Sequence, residues 1–449
     1  MFGIISNPLI TLTALAFILM IDWILKDNLN LLCAVFFYSI FTVPNPGPYH
    51  SIYLLDIGVK ISIIEALLLF NLALSVARAA FTGDLVFTIK RGRYWLPVKL
   101  FSLGLIAGIL VGLFKGASPG AAILEVRHLF YLPISYLLTI NLIRNYSDIK
   151  KIIWAFILGV FVYCLRGLLS HGGHLLRGGS INEPIDPYHS SLMLAFALFI
   201  LLTLYFLKDR QLVPRSFQLV LIILCLYNLL FNYRRAIYLG FAIGLVILLT
   251  TLAIRYKNLF KPLLVLILIL FALSLYLGPG VLSSVSERAL SIGELEYYGQ
   301  EGAAGSNFYR LWEMANFVKN IKNAPILGLG AGHEWNVYIP FYPKRLTKNH
   351  FHNTHAALWL KYGIYTLVAF IALLLFLTWD SIRKASKESD PFFISLYLAA
   401  ACYSVCFLIA SLFGDYMYYI RPPFWMGIII GITSALIEVR KESPELVAK

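Results

Sequence analysis

The residues best able to do chemistry lie in one short run, His350-Phe351-His352-Asn353-Thr354-His355. His352 and His355 stand three apart and share a helical face. Imidazole titrates near neutral pH, so such a pair suits general-base catalysis or phosphate binding. A metal site is the competing reading. It would take His350, His352 and His355 with Glu334, but no cysteine or well-spaced carboxylate completes the set. Purely structural hydrogen bonding is the third. The other six histidines are His50, His128, His171, His174, His189 and His333.

Arginines form the second group. Arg234 and Arg235 interrupt two apolar segments, Arg166 lies inside another, Arg177 follows it, and Arg288 and Arg310 lie further on. A charge at the bilayer centre costs ~2.5–3.5 kcal/mol on insertion scales, so an intramembrane arginine is a functional candidate by default. A wet interhelical turn with snorkelling side chains is the plainer explanation for Arg234 and Arg235. Several arginines around one cavity would clamp an anion, since guanidinium groups bind phosphate oxygens bidentately. A diphosphate fits such a clamp.

These residues need a scaffold, and composition dictates which kind. The 449 residues are 59% hydrophobic and 13% charged, against roughly 45–50% and about 25% in soluble domains. A soluble core cannot hide that surplus. Secreted modules, soluble enzymes and disordered chains are excluded, leaving an all-α polytopic membrane protein; β-barrels need short alternating strands. Apolar segments long enough to span a bilayer, or nearly so, occupy 5–25, 29–43, 57–77, 97–114, 128–143, 152–169, 190–207, 217–232, 236–254, 262–278, 355–378, 392–412 and 424–438. About 12–13 crossings are expected. The start of the chain, 1–8, lacks a basic stretch and reads as the opening of a membrane segment, not a cleaved signal. All five cysteines sit in apolar stretches, so no disulfide framework is expected.

The net charge of +14 follows the positive-inside rule. From residue 78 onward, one alternate set of connections plus the tail carries 20 Lys and Arg, the opposite short connections six. The first set is assigned to the cytoplasm. No basic stripe in a soluble segment suggests nucleic acid. The expected organisation is transmembrane helices over 1–278, a large extracytoplasmic loop over 279–353, C-terminal transmembrane helices over 354–438 and a cytoplasmic tail over 439–449. Within the loop, Phe308, Leu311, Trp312, Ala315, Val318 and Ile321 recur with helical spacing, which predicts an amphipathic helix over 306–323. Pro325 ends it, and Gly328, Gly330 and Gly332 form a turn packed close to helices.

At this point the sequence resembles the bacterial O-antigen ligase family, within the wider O-antigen ligase/polymerase superfamily. His352-Asn353 followed by nine residues and Gly363 is similar to that family's H-[NSQ]-X9-G motif. Arg235-Ala236-Ile237-Tyr238-Leu239 resembles its R-X3-L motif. Ser306, Arg310, Trp312 and the run Pro325 to Gly330 look like the superfamily signature. After Gly363 the sequence departs: Ile364-Tyr365-Thr366-Leu367 stands where the ligases have G-X-X-G-T-X-G.

The resemblance implies a GT-C-like membrane glycosyltransferase in the bacterial inner membrane with a periplasmic active site. It implies an undecaprenyl-diphosphate-linked polysaccharide donor and a sugar hydroxyl of lipid A core as acceptor, or of a growing repeat in a polymerase. The implied reaction is inverting, with no metal, cofactor or nucleotide sugar. On this reading His352, Arg235 and Arg310 are catalytic, while Arg177, Arg166, Arg234, Arg288, Asn353 and His355 bind substrate. A lipid-linked saccharide flippase is the alternative from another class; it should show internal repeats and midplane charges, and no repeat is found.

Overall fold

The computed structural model describes residues 27–41, 53–56, 60–81, 92–176, 190–209, 212–232, 234–257, 303–337, 346–348 and 351–442. They are overwhelmingly helical. In chain order the helices are α1 (Asn28–Phe41), α2 (Ile63–Phe81), α3 (Trp95–Phe114), α4 (Pro119–Leu142), α5 (Tyr146–Leu176), α6 (Ser190–Phe206), α7 (Arg215–Phe231), α8 (Arg235–Arg255), α9 (Ala303–Ile321), α10 (Thr354–Tyr362), α11 (Ile364–Lys387), α12 (Pro391–Ala410) and α13 (Arg421–Glu442). Seven of these, α3, α4, α5, α8, α11, α12 and α13, are long and apolar enough to cross a membrane, and α1, α2, α6 and α7 are shorter apolar helices. The expected segments 5–25 and 262–278 lie outside the described residues. The chain is thus a polytopic all-α membrane protein.

Local sequence explains where the helices begin. Ser118 caps α4, accepting from the Ala121 N–H, with Pro119 at the first helical position. Asp390 does the same for α12, accepting from Phe392 and Phe393 ahead of Pro391. The fully apolar α12 packs against α6, α8 and α11, while α13 packs along α4. All five cysteines are free and buried.

Two segments differ from the sequence reading. The stretch expected to span from residue 57 instead opens with an antiparallel pair, β1 (Tyr53–Asp56) and β2 (Lys60–Ser62), and its helix starts only at Ile63. The single span expected over 355–378 is broken. Gly363, at φ +86, separates the nine-residue α10 from α11. Lys361-Tyr362-Gly363 is a dip in hydropathy too brief to mark the break by itself.

A loop stabilises that break. The carbonyls of Leu360 and Lys361, left without helical partners, accept from the N–H groups of Leu329 (2.6 Å) and Gly330 (3.1 Å), and Ile364 N–H donates to Ile326. Irregular backbone at membrane depth is tolerated only with such partners. The same loop lies on α3, where Ala331 N–H donates to the Gly108 carbonyl. Gly104, Gly108 and Gly112 present a stripe on α3 that lets Thr366, Tyr362 and Ala331 come into contact. The loop is locked by a buried ion pair: Lys361 Nζ meets Glu125 of α4 at 3.2 Å, and Glu125 also accepts from Gly332 N–H.

Candidate active site

His352 immediately precedes α10. Asn353 is that helix's cap: its side chain accepts from Ala356 N–H at 2.9 Å and donates to the Leu412 carbonyl at 2.7 Å. Thr354 donates its N–H to the carbonyls of Ser411 and Gly414, and its hydroxyl to Gly414. The His352 turn is therefore fastened to the α12–α13 connection, residues 411–420.

The loop helix supplies the next contact. A satellite core of Phe317, Ile321, Trp335, Phe351, Ala356, Ala357 and Leu360 joins α9 to α10, and β3 (Trp335–Val337) pairs with β4 (Leu346–Lys348) beside it. Above this core the Glu313 carboxylate, 1% exposed, accepts from the His352 backbone N–H at 3.1 Å and lies 3.1 Å from His352 Nδ1. The imidazole itself is half-exposed.

The helix expected over 306–323 spans Ala303–Ile321, and its packing face is rotated from the one the apolar spacing suggests. Glu313, Asn316, Phe317 and Ile321 are buried, whereas Ala315 and Val318 are exposed. Sequence reasoning passed over Glu313 because an acid beside an apolar stripe is normally assigned to solvent.

Arg234 and Arg310 approach from two further elements. Arg234 sits half-buried at the cap position of α8, and Arg310 is exposed on α9 one turn before Glu313. Both act on the buried Tyr416 hydroxyl. Burial pushes that phenol up, and the positive charge of Arg234 and, less strongly, Arg310 pulls it down, against the opposing charge of Asp415. Hydrogen bonds thus join α9, the His352 turn and the α12–α13 connection, and the charge of Arg234 at the α7–α8 turn reaches the last of these. The contribution of the last, through Tyr416, was not foreseen and carries no motif.

His355 lies one turn beyond His352 with its ring against Phe370. Burial lowers its pKa to about 4, so the ring is neutral at physiological pH and Nε2 has no hydrogen-bond partner among the described residues. That nitrogen is itself buried. Arg235 begins α8, with only its backbone described; Arg166 is exposed on α5, and no described contact links it to the cluster. Arg177, Arg288 and His350 lie outside the described residues. Among the described residues no group of three or more His, Cys, Asp or Glu is placed to hold a metal ion.

Residues 220–371, about a third of the chain, match the family model of the O-antigen ligase. The match runs from α7 into α11 and takes in Arg234, Arg310, the glycine loop and His352. No curated protein matches the chain.

Proposed function

With residues 220–371 matching the family model of the O-antigen ligase, we propose that the protein is a membrane glycosyltransferase that moves a polysaccharide from undecaprenyl diphosphate to a sugar hydroxyl of the lipid A core. The reaction takes place on the periplasmic side of the bacterial inner membrane. The observation that carries this reading is the gathering of Arg234, Arg310 and the His352 turn around one connection.

The chemistry follows from those groups. His352 accepts the proton of the acceptor hydroxyl as that oxygen attacks the anomeric carbon. The bond from carbon to the diphosphate oxygen breaks on the opposite face, so the configuration inverts. The leaving group keeps its electron pair as added negative charge on the diphosphate. Arg310, Arg234 and Arg235 neutralise it, with Arg177, Arg166 and Arg288 as further candidates for the donor. Preorganised donors aimed at developing charge supply this stabilisation without a metal ion. Asn353 holds the histidine turn in place, and His355, one turn on, is the further candidate for binding the donor. A polymerase of the same superfamily differs in its acceptor, a growing repeat. The departure from the ligase motif after Gly363 keeps that second reading in play.

The test uses purified protein in liposomes with a lipid-diphosphate-linked polysaccharide, offered lipid A core or a lipid-linked repeat. Transfer to the core without ATP is the expected result, with His352→Ala lowering turnover by the ~10²–10⁴-fold that general bases supply. Arg310→Lys should impair transfer far more than Arg383→Lys at the other end of the bundle. Elongation of the repeat with no transfer to core would make the protein a polymerase. Full activity of both His352→Ala and Arg310→Ala would remove this site from the reaction.

A further inference from the structure

Glu313 is the one carboxylate in the site whose burial needs explaining. It is 1% exposed on a loop helix whose neighbouring turns are open to solvent, and it lies on the face packed against α10. Burying a carboxylate is costly unless it is hydrogen-bonded. Its described hydrogen bonds go to a single residue, His352: one from the backbone N–H and one to the ring nitrogen Nδ1. The backbone contact, to Oε2, is enough to tie α9 to α10, and Oε1 faces the ring nitrogen. The second contact bears on the imidazole's chemistry.

We propose that Glu313 is the positioning residue for His352, holding its proton on Nδ1 so that Nε2 presents the basic lone pair. This rests on the reading of His352 as the base. A neutral imidazole has two tautomers, and the hydrogen bond made by one nitrogen selects which nitrogen is basic. With Nδ1–H donating to Glu313, Nε2 is the basic atom. When Nε2 takes the acceptor proton, the ring becomes an imidazolium 3.1 Å from a carboxylate. The buried negative charge stabilises that cation as the transition state forms it, as a triad carboxylate does. The backbone bond fixes the rotation of the turn, and the ring bond fixes the ring.

Because Glu313 belongs to α9 and His352 to the start of α10, the base is oriented only while the loop helix is docked. Arg310 lies one turn before Glu313 on the same helix. The same docking therefore brings up the diphosphate clamp and aligns the base.

Two measurements decide this. The first is nitrogen-15 NMR of histidine-labelled wild-type protein in nanodiscs, with the His352 signals assigned by their loss in His352→Gln. The neutral ring is expected as the Nδ1–H tautomer; a dominant Nε2–H tautomer overturns the proposal whatever the variants do. The second compares Glu313→Gln and Glu313→Asp in the liposome transfer assay. In Glu313→Gln, kcat should fall at least 10-fold, towards the ~10⁴-fold loss seen when a triad carboxylate is neutralised. KM for the donor should change little, and Glu313→Asp should recover part of kcat. Wild-type kcat in Glu313→Gln, with His352→Ala inactive, would refute the positioning role alone. An active His352→Ala would instead refute the reading it rests on.

Discussion

Gly330 offers the sharpest test of how the site is held. It has φ +96, and a Cβ built on it would stand 2.3 Å from the Gly112 nitrogen and 2.4 Å from the Gly112 Cα, both backbone atoms of α3. Gly116 has a similar φ, +88, yet a Cβ there meets nothing within 4 Å. The left-handed conformation costs an L-residue roughly 1–2 kcal/mol, and this applies to Ala at both positions. Only Gly330→Ala adds the overpacking term, typically ~1–3 kcal/mol, because α3 backbone cannot rotate aside as a side chain can. The expected losses are about 1–2 kcal/mol for Gly116→Ala and about 2–5 kcal/mol for Gly330→Ala. The loop also satisfies the last carbonyls of α10, so displacing it should unseat the His352 turn. Thermal unfolding in detergent and transfer activity in liposomes provide the two readouts. Gly330→Ala should lose most of its activity and Gly116→Ala should keep it. Equal stability and equal activity of the two variants would refute the idea that this close approach positions the site.

Other perturbations have signs fixed by the same geometry. Lys361→Met leaves the buried Glu125 carboxylate unpaired and should cost ~3–5 kcal/mol; adding Glu125→Leu should recover much of it, as read from the unfolding midpoint of the double variant. His355 takes its proton near 6.5 in the unfolded chain but only at about 4 in the fold. The unfolded state therefore binds more protons between those values, and this contribution to stability is complete above pH 6.5 and lost as pH falls towards 4. It amounts to at most about 3 kcal/mol, and His355→Gln should remove that slope from the stability-versus-pH curve. Single cysteines at Asp209 and Lys387, in a background without native cysteines, should resist an impermeant maleimide in intact spheroplasts, while one at Gln300 should react; the reverse pattern would invert the assigned orientation.

The helices were legible because apolar runs of this length have few other fates. Their starts were less so: the apolar run over 128–143 begins nine residues after α4 does, at Pro119 behind the Ser118 cap. What escaped the sequence was tertiary. The run through Gly363 dips only briefly, at Lys361-Tyr362-Gly363, before apolar residues resume at Ile364, so little hinted that a nine-residue helix would be split off there. Glu313 escaped because its burial depends on a partner 39 residues away. Tyr416 escaped because a tyrosine in a short connection between two apolar helices is a common occurrence, and nothing local tells that two arginines will converge on it. His352, Asn353 and Arg310 were singled out by type and spacing; their joint attachment through residues 411–418 was not.

The distribution of charge between the two ends of the bundle adds a last step. At the end bearing the C-termini of α8, α11 and α13, three arginines are compensated. Arg93 pairs with Asp380 at 2.8 Å, Arg440 with Glu388, and Arg255 with two carbonyls. At the opposite end, neither Arg234 nor Arg310 has a carboxylate within ion-pair distance among the described residues, and the nearby Glu313 is engaged by His352. A fold selected for stability alone would gain by placing acids beside those two arginines, as it does beside Arg93. Leaving them uncompensated next to a buried phenol and the positive end of α10 keeps a favourable potential for an anion. A carboxylate introduced there should therefore raise stability slightly while abolishing transfer. Leu412, exposed and accepting from Asn353 through its carbonyl, is the position to use. If Leu412→Glu transfers polysaccharide at the wild-type rate, the positive potential at this end is not what holds the donor.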